Sequence, residues 1–312
     1  MPHLLMIGEC MIELSQNNEL GEYKQSFAGD VFNTGVYIKR CLKDSAQVSF
    51  LSVIGEDKLS TQFLNLMANE QINSRYLYRC KSNKMGLYII NIDQYGERTF
   101  DYWRENSAAR QLMQLIKQDS DKMAFSSVTT LFFSGISIAI LSPDDLQDFW
   151  KFIKCRRSQG CQIVFDPNYR PALWPSPEHA KDAFEIAYSL SNVVLPGVDD
   201  HKNLYNHQTA AEIASHLEAK GIGEIIIKNG DLEVLVSARG RRTKIDIIPV
   251  TEVVDTTSAG DAFNGGYLSA RQNGKSVKDA VIYAANVAGC VIQHKGAIVP
   301  KACFDTAITP LV

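Results

Sequence analysis

Long apolar runs are absent from this 312-residue chain, and nothing in it approaches the roughly 20 residues that a membrane-spanning helix needs. A basic leader is missing as well, since Leu4-Leu5-Met6-Ile7 reads at once as a strand; the expectation is a cytoplasmic protein without a membrane partner. The seven cysteines include no CxxC pair and no metal-ligand spacing. That excludes a disulfide framework and a zinc site, and the cysteines read as reduced, mostly buried thiols. Charge of one sign is also lacking. With 32 Lys and Arg against 35 Asp and Glu, the net charge is −3, which gives no bulk reason to bind nucleic acid. No Gly-x-x-x-x-Gly-Lys-Ser/Thr loop occurs, so the chain is not a P-loop NTPase. There is no internal repeat, low-complexity segment or interdomain linker.

What is present is enough apolar content, 45%, to bury the core of one large α/β domain, or of one and a half. Strand-like runs alternate with helical patterns. Leu4–Ile7 precedes a helix over about 33–42, and Val48–Ile54 precedes one over about 59–67. The alternation resumes with Thr130–Ser134, then a helix over 143–157 with Ser142 as cap and Pro143 as first residue. Strands at Ile163–Asp166, Val193–Leu195 and Glu224–Lys228 follow, and Ser276–Gln293 carries a long Ala- and Val-rich helical stripe. Such continuous apolar strands imply a mostly parallel sheet covered on both faces, with ligands bound beyond the strands' carboxyl ends. Two runs break the rhythm: Gly86–Ile92 and Arg98–Trp103, joined at Asp93-Gln94-Tyr95-Gly96, predict a hairpin.

The most specific string is Val254-Asp255-Thr256-Thr257-Ser258-Ala259-Gly260-Asp261-Ala262-Phe263. It opens into a helix whose stripe is Phe263, Tyr267, Leu268 and Ala270, so Asp261 falls in the first turn. The first amides of a helix point outward with the positive end of its dipole, so Ala259, Gly260 and Asp261 offer donors to an anion. A carboxylate beside such a nest can take a proton from a hydroxyl while the nest neutralises a transferring phosphoryl group. An ordinary capped helix start shares the bare Gly-Asp pattern.

This string resembles the signature of the PfkB, or ribokinase-like, carbohydrate kinases, in which the last Asp is the catalytic base; Asp261 stands there. Ser258 departs from the family's usual glycine. A positive φ at that position costs serine roughly 1 kcal/mol. The resemblance implies a three-layer α/β/α domain over residues 1–312 with a mostly parallel sheet and a small β-lid, placed at about 11–31 and 78–105. It implies ATP and Mg²⁺ as cofactors, a small-molecule substrate, and a homo-oligomer, dimer or higher, since lids in this family often add area to dimer contacts.

The substrate side is read from several segments. Thr99 to Arg104 sets aromatic rings beside a guanidinium, which suits the two-pronged grip of a carboxylate or a solvated strand edge equally. Asp166-Pro167-Asn168-Tyr169-Arg170 ends an apolar strand, as a ligand contact or as a polar turn. Asn33, just after Gly29-Asp30, reads as a helix cap; in the family this region holds sugar hydroxyls. Together with Gly8–Leu14, Gly86–Tyr88, Gly96–Phe100, Ser134–Ser137 and Ala139–Pro143, these segments resemble the branch of the family that phosphorylates 2-keto-3-deoxygluconate on its terminal hydroxyl. That likeness spans essentially the whole chain. It implies Gly29, Asp30, Asn33, Tyr88, Tyr102, Arg104 and Arg170 as substrate contacts, with Asn168 as a nearby nucleotide or substrate contact.

For the nucleotide, the resemblance implies Lys228, Gly230, Ser258 and Gly260, although Lys228-Asn229-Gly230 is also an ordinary solvated turn. For magnesium, the family's Asn-x-x-Glu is replaced by Gly197-Val198-Asp199-Asp200, leaving Asp200 either to organise magnesium-bound water or to stand as a solvated acidic helix start. The alternatives are a family kinase for another sugar, such as fructose or a different keto-sugar acid, and a non-catalytic sugar-acid or nucleotide sensor. Ser258 and the altered magnesium motif make the sensor thinkable; Asp261 argues against it, because binding alone needs no base.

Overall fold

The computed structural model describes residues 1–16, 21–92, 98–119 and 125–311. Thirteen strands occur among them. They are β1 (His3–Ile7), β2 (Met11–Gln16), β3 (Tyr23–Ala28), β4 (Gln47–Gly55), β5 (Leu77–Cys80), β6 (Leu87–Ile92), β7 (Arg98–Trp103), β8 (Thr130–Ser134), β9 (Gln162–Asp166), β10 (Val193–Val194), β11 (Glu224–Asn229), β12 (Glu233–Ala238) and β13 (Arg241–Asp246). Nine of them form one sheet in the order β13-β12-β11-β10-β9-β8-β1-β4-β5. Pairing is parallel from β11 to β5, while β12 and β13 add an antiparallel edge. That edge hairpin is absent from the alternation above, although its turn has a signal: Arg239 and Gly240 both take positive φ, as a two-residue hairpin turn requires.

Successive strand residues serve opposite faces, and β1 displays this directly. Leu5 and Ile7 enter a core with Phe149, Trp150, Phe184 and Ile213, whereas Leu4 and Met6 join Val36, Phe263, Tyr267 and Ala284. Each completely buried side chain of this size contributes about 1.5–3 kcal/mol, so both faces are held by helix packing and the result is the expected α/β/α sandwich. Ser142 caps the Pro143–Ser158 helix through the amide of Asp145, and Ser276 caps Val277–Ile292 through Asp279. Both are the short polar side chains that satisfy orphan amides at helix starts.

The Ala259–Gln272 helix packs against Asp30–Leu42 at unusually close range. A Cβ on Gly265 would lie 2.7 Å from Cβ of Tyr37 and 3.0 Å from the Thr34 carbonyl oxygen. This contact fixes where the start of one helix meets the start of the other.

The remaining four strands form a second sheet in the order β3-β2-β6-β7. β6 and β7 pair antiparallel with Tyr88 opposite Tyr102, as the two-run pattern implies; the joining turn at 93–96 lies outside the described residues. The segment 78–105 is too generous for this sheet. Leu77–Cys80 pairs with β4 in the large sheet, so its first residues belong to the main body, and Asp30 already begins a helix.

Candidate active site

The carboxyl ends of the parallel strands and one face of the small sheet enclose a cleft of about 1140 Å³. Every residue singled out in the sequence lines it: Gly29, Asp30, Asn33, Tyr88, Tyr102 and Arg104 from one side, Asn168, Arg170, Asp200, Lys228 and Gly230 from another, and Ser258 to Asp261 from the third. The fold therefore brings together residues spread over more than two hundred positions.

Asp261 lies in the first turn of Ala259–Gln272. Its Oδ2 accepts a 2.9 Å hydrogen bond from Nδ2 of Asn33, and its carbonyl accepts one of 3.2 Å from the Thr34 hydroxyl. Burial and then the charge of Asp30 push its carboxyl up to about 7, against the lowering effect of the Asn33 hydrogen bond. A base that titrates there is matched to neutral pH. Ser258, just before the helix, takes the left-handed conformation with φ 64° and ψ 12°, the geometry that favours glycine. Its buried hydroxyl makes no hydrogen bond of ordinary length among the described residues, but it lies close enough to the Asp261 carboxyl to lower it, as Asn33 does.

The anion nest is narrower than the sequence suggests. The amide of Ala259 turns back to donate to the Thr256 carbonyl at 3.2 Å, which closes the turn and takes that donor out of the nest. Gly260 and Asp261 remain, as first-turn amides without an intrahelical acceptor.

On the sugar side, Gly29 has extended backbone, and its role is close approach: a Cβ there would sit 2.1 Å from the Glu9 carbonyl oxygen. Asn33 is not the cap of its helix, a position that falls to Gly29. Its side chain accepts from the Gly29 amide at 3.3 Å and donates to Asp261, so it orients the carboxylate. Asp30 accepts from the Asn168 amide at 2.8 Å. The Tyr88 hydroxyl is committed to Glu13, to which Ser26 also donates. Tyr102 is 45% exposed and its ring stands 5.6 Å from that of Tyr88. Arg104 is buried, with Nη2 bonded to the Glu9 carboxylate and its guanidinium 5.9 Å from the Tyr102 ring. Arg170 is exposed, with Nη1 donating to the Tyr169 carbonyl at 3.0 Å.

On the opposite side, Nζ of Lys228 is held at 3.1 Å by both Asp166 and Asn264. It lies 3.8 Å from the place where Gly260 would carry a Cβ, so a cation adjoins the amide nest. Gly230 has φ 60°. Asp200 accepts from the amides of Gly197 and Tyr169 at 3.0 and 2.8 Å; burial and the nearby Asp166 raise its carboxyl, with Lys228 opposing. Both of its oxygens are thus engaged in tying the strand ends, and it would meet a metal ion only through water. Among the described residues, no group of three or more His, Cys, Asp or Glu is arranged to hold a metal.

Three polar residues of this site, Glu9, Glu13 and Asn264, have no role assigned from the sequence, and Asp166 stands there only within a strand-end string. Asp166 had a usable signal, an acid at the last position of a buried strand. The others reveal themselves only by distant partners.

An α/β/α sandwich with its cleft beyond a mostly parallel sheet, walled by a second small one, has ribokinase-like architecture. The chain belongs to the pfkB family of carbohydrate kinases, whose profile matches residues 1–302. A 2-dehydro-3-deoxygluconokinase from Haemophilus influenzae is 36% identical over 308 residues, covering 98% of each chain. One of the same name from Dickeya dadantii is 35% identical over 303 residues, 96% of this chain and 97% of its own. Among solved structures, a putative Ribokinase II from Escherichia coli in complex with ATP and Mg²⁺ matches with a TM-score of 0.82. It is 20% identical, and the match covers 100% of this chain and 97% of that one. Among the described residues no helix is long and apolar enough to cross a membrane.

Proposed function

We propose that the protein transfers the terminal phosphoryl group of ATP to the terminal hydroxyl of 2-keto-3-deoxygluconate, giving 2-keto-3-deoxy-6-phosphogluconate and ADP. The observation that carries this reading is Asp261: a carboxyl raised to about 7, at a helix N-terminus, facing a cleft that also contains two arginines and two tyrosines. The relatives' name, 2-dehydro-3-deoxygluconokinase, denotes a kinase for this same sugar acid and supports the choice of acceptor.

In this reading Asp261 accepts the proton of the attacking hydroxyl, and Asn33 holds the carboxylate in place. The amides of Gly260 and Asp261, with Lys228 beside them, stabilise charge on the transferring group. Lys228, Gly230 and Ser258 border the nucleotide phosphates, and Asn168 links that side to Asp30. Arg104 and Arg170 hold the sugar-acid end, Tyr88 and Tyr102 flank it, and Gly29 with Asp30 floors it. The donors suit magnesium bound through water: Asp199 is exposed at the cleft and Oδ1 of Asp166 has no hydrogen-bond partner among the described residues. When bound, magnesium neutralises phosphate charge. The small sheet acts as a lid that excludes water and so limits wasteful ATP hydrolysis.

A neutral ketose such as fructose is the rival acceptor, and the Glu9 contact that neutralises Arg104 is the observation favouring it. A substrate panel decides between them. The reading expects kcat/KM for 2-keto-3-deoxygluconate to exceed that for fructose by at least tenfold; the reverse order would replace it with the ketose reading. A cytoplasmic setting accords with seven free cysteines. Trp103, 55% exposed on the face of the small sheet turned away from the cleft, supports a dimer or higher assembly through the lid, which light scattering would detect.

A further inference from the structure

Glu9, in the short connection between β1 and β2, is 2% exposed and lines the cleft. Its Oε2 accepts from Nη2 of Arg104, which is 7% exposed and lines the same cleft just beyond β7. The pair is made on one edge only. Oε1 of Glu9 and Nε of Arg104 are both buried without a hydrogen-bond partner among the described residues. Gly86 leaves room for the pair: a Cβ there would come 2.9 Å from Glu9 Oε1 and 3.2 Å from Arg104 Cβ.

A buried guanidinium without a counter-ion is strongly disfavoured, and one sharing its charge with a carboxylate is a weaker attractor for a second anion. Arg170 differs. It is exposed at the cleft and donates to a neutral carbonyl, so its full charge faces an incoming ligand. We propose that Glu9 is a positioning residue that holds Arg104 as a directional hydrogen-bond donor and damps its charge, leaving Arg170 to select for the acid. The inference rests on the sugar-acid reading of the site and refines how the acid is recognised.

Charge and position are separated by two variants. Glu9→Gln keeps an acceptor for Nη2 and removes the negative charge; Glu9→Asp keeps the charge and withdraws it by one methylene. The readout is kcat and KM with 2-keto-3-deoxygluconate and with 3-deoxyfructose, which has the same chain with a primary alcohol in place of the carboxylate. Glu9→Gln is expected to raise the preference for the acid over the alcohol at least threefold, through a lower KM for the acid at unchanged kcat. Glu9→Asp is expected to raise KM for both compounds by a similar factor of five or more, with the preference unchanged. The inference is overturned if Glu9→Gln leaves the preference within twofold or alters kcat alone, or if Glu9→Asp leaves both KM values unchanged. Should the Gln variant fold poorly, Arg170→Ala, at an exposed position, decides: the preference for the acid is expected to fall at least tenfold, and a preference within twofold of the wild type overturns the inference. Wild-type protein inactive with the acid overturns both the reading of the function and this inference, whereas an active wild type with an unmoved preference overturns this inference alone.

Discussion

The side-chain amide of Asn33 donates a 2.9 Å hydrogen bond to Oδ2 of Asp261, joining the starts of two helices that lie 228 residues apart in sequence. The bond favours the ionised carboxyl, while burial and the charge of Asp30 disfavour it, and the balance sets the carboxyl at about 7. Removing either neighbour should move the base in a known direction. With the proposed acceptor and ATP, kcat/KM should fall on the acid side with an apparent pKa near 7 in the wild type. Asp30→Asn should shift that limb to lower pH and Asn33→Ala to higher pH. A pH-rate profile in which both variants move the same way would reject this electrostatic picture.

The same carboxyl affects stability. Its folded value of about 7 lies above its ordinary value of 3.8, so the native state binds more protons than the unfolded chain between those limits. The penalty of burying the charge is therefore absent below pH about 4, grows as pH rises, and is complete above pH about 7. Asp261→Asn should raise Tm at pH 8, with the gain shrinking toward pH 4. Calorimetry at the two pH values checks this, and a gain that grows toward acid would contradict it.

Ser258 combines a left-handed backbone with a buried hydroxyl that makes no hydrogen bond of ordinary length and whose nearby acceptor is the Asp261 carboxyl. Both features cost stability in the folded state, and glycine removes both. Ser258→Gly is expected to raise unfolding stability by about 1 kcal/mol in urea titration, with turnover within a few-fold of the wild type. A destabilised variant would mean that the hydroxyl's interaction with the Asp261 carboxyl outweighs both costs.

Gly29 has no room for a side chain against the Glu9 carbonyl. Gly29→Ala must push that carbonyl away, at a cost of about 1–3 kcal/mol by the usual scale of overpacking, and it should also raise the sugar KM because Glu9 and Asn33 adjoin it. Urea titration together with steady-state kinetics would register both effects; wild-type values in both would show that the backbone yields freely.

Much of the scaffold was legible because local pattern and global fold agree. β1, β4, β8 and β9 are short apolar runs, and the Ser142-Pro143 and Ser276 helix starts have polar caps that act within three residues. The lid boundary at about 78 falls inside a main-sheet strand because Leu77–Cys80 is short and chemically mixed, and only its pairing with β4 reveals its sheet. Site residues on strand ends and on the Asp261 turn stand within recognisable strings. Glu9 and Glu13 do not declare themselves: their partners, Arg104 and Tyr88, are 95 and 75 residues away, and no local periodicity encodes such pairs. The bond of the Ala259 amide to Thr256 is likewise a matter of turn geometry, invisible in residue identity.

Asp261 as the base of a sugar-acid kinase is the central proposal. The most direct measurement is the rate of ADP release with 2-keto-3-deoxygluconate, ATP and magnesium, for the wild type and Asp261→Asn side by side. The account predicts turnover by the wild type and a variant slower by about two to four orders of magnitude that remains folded. No acceptor-dependent ADP from the wild type, or near-normal turnover by the variant, would contradict it.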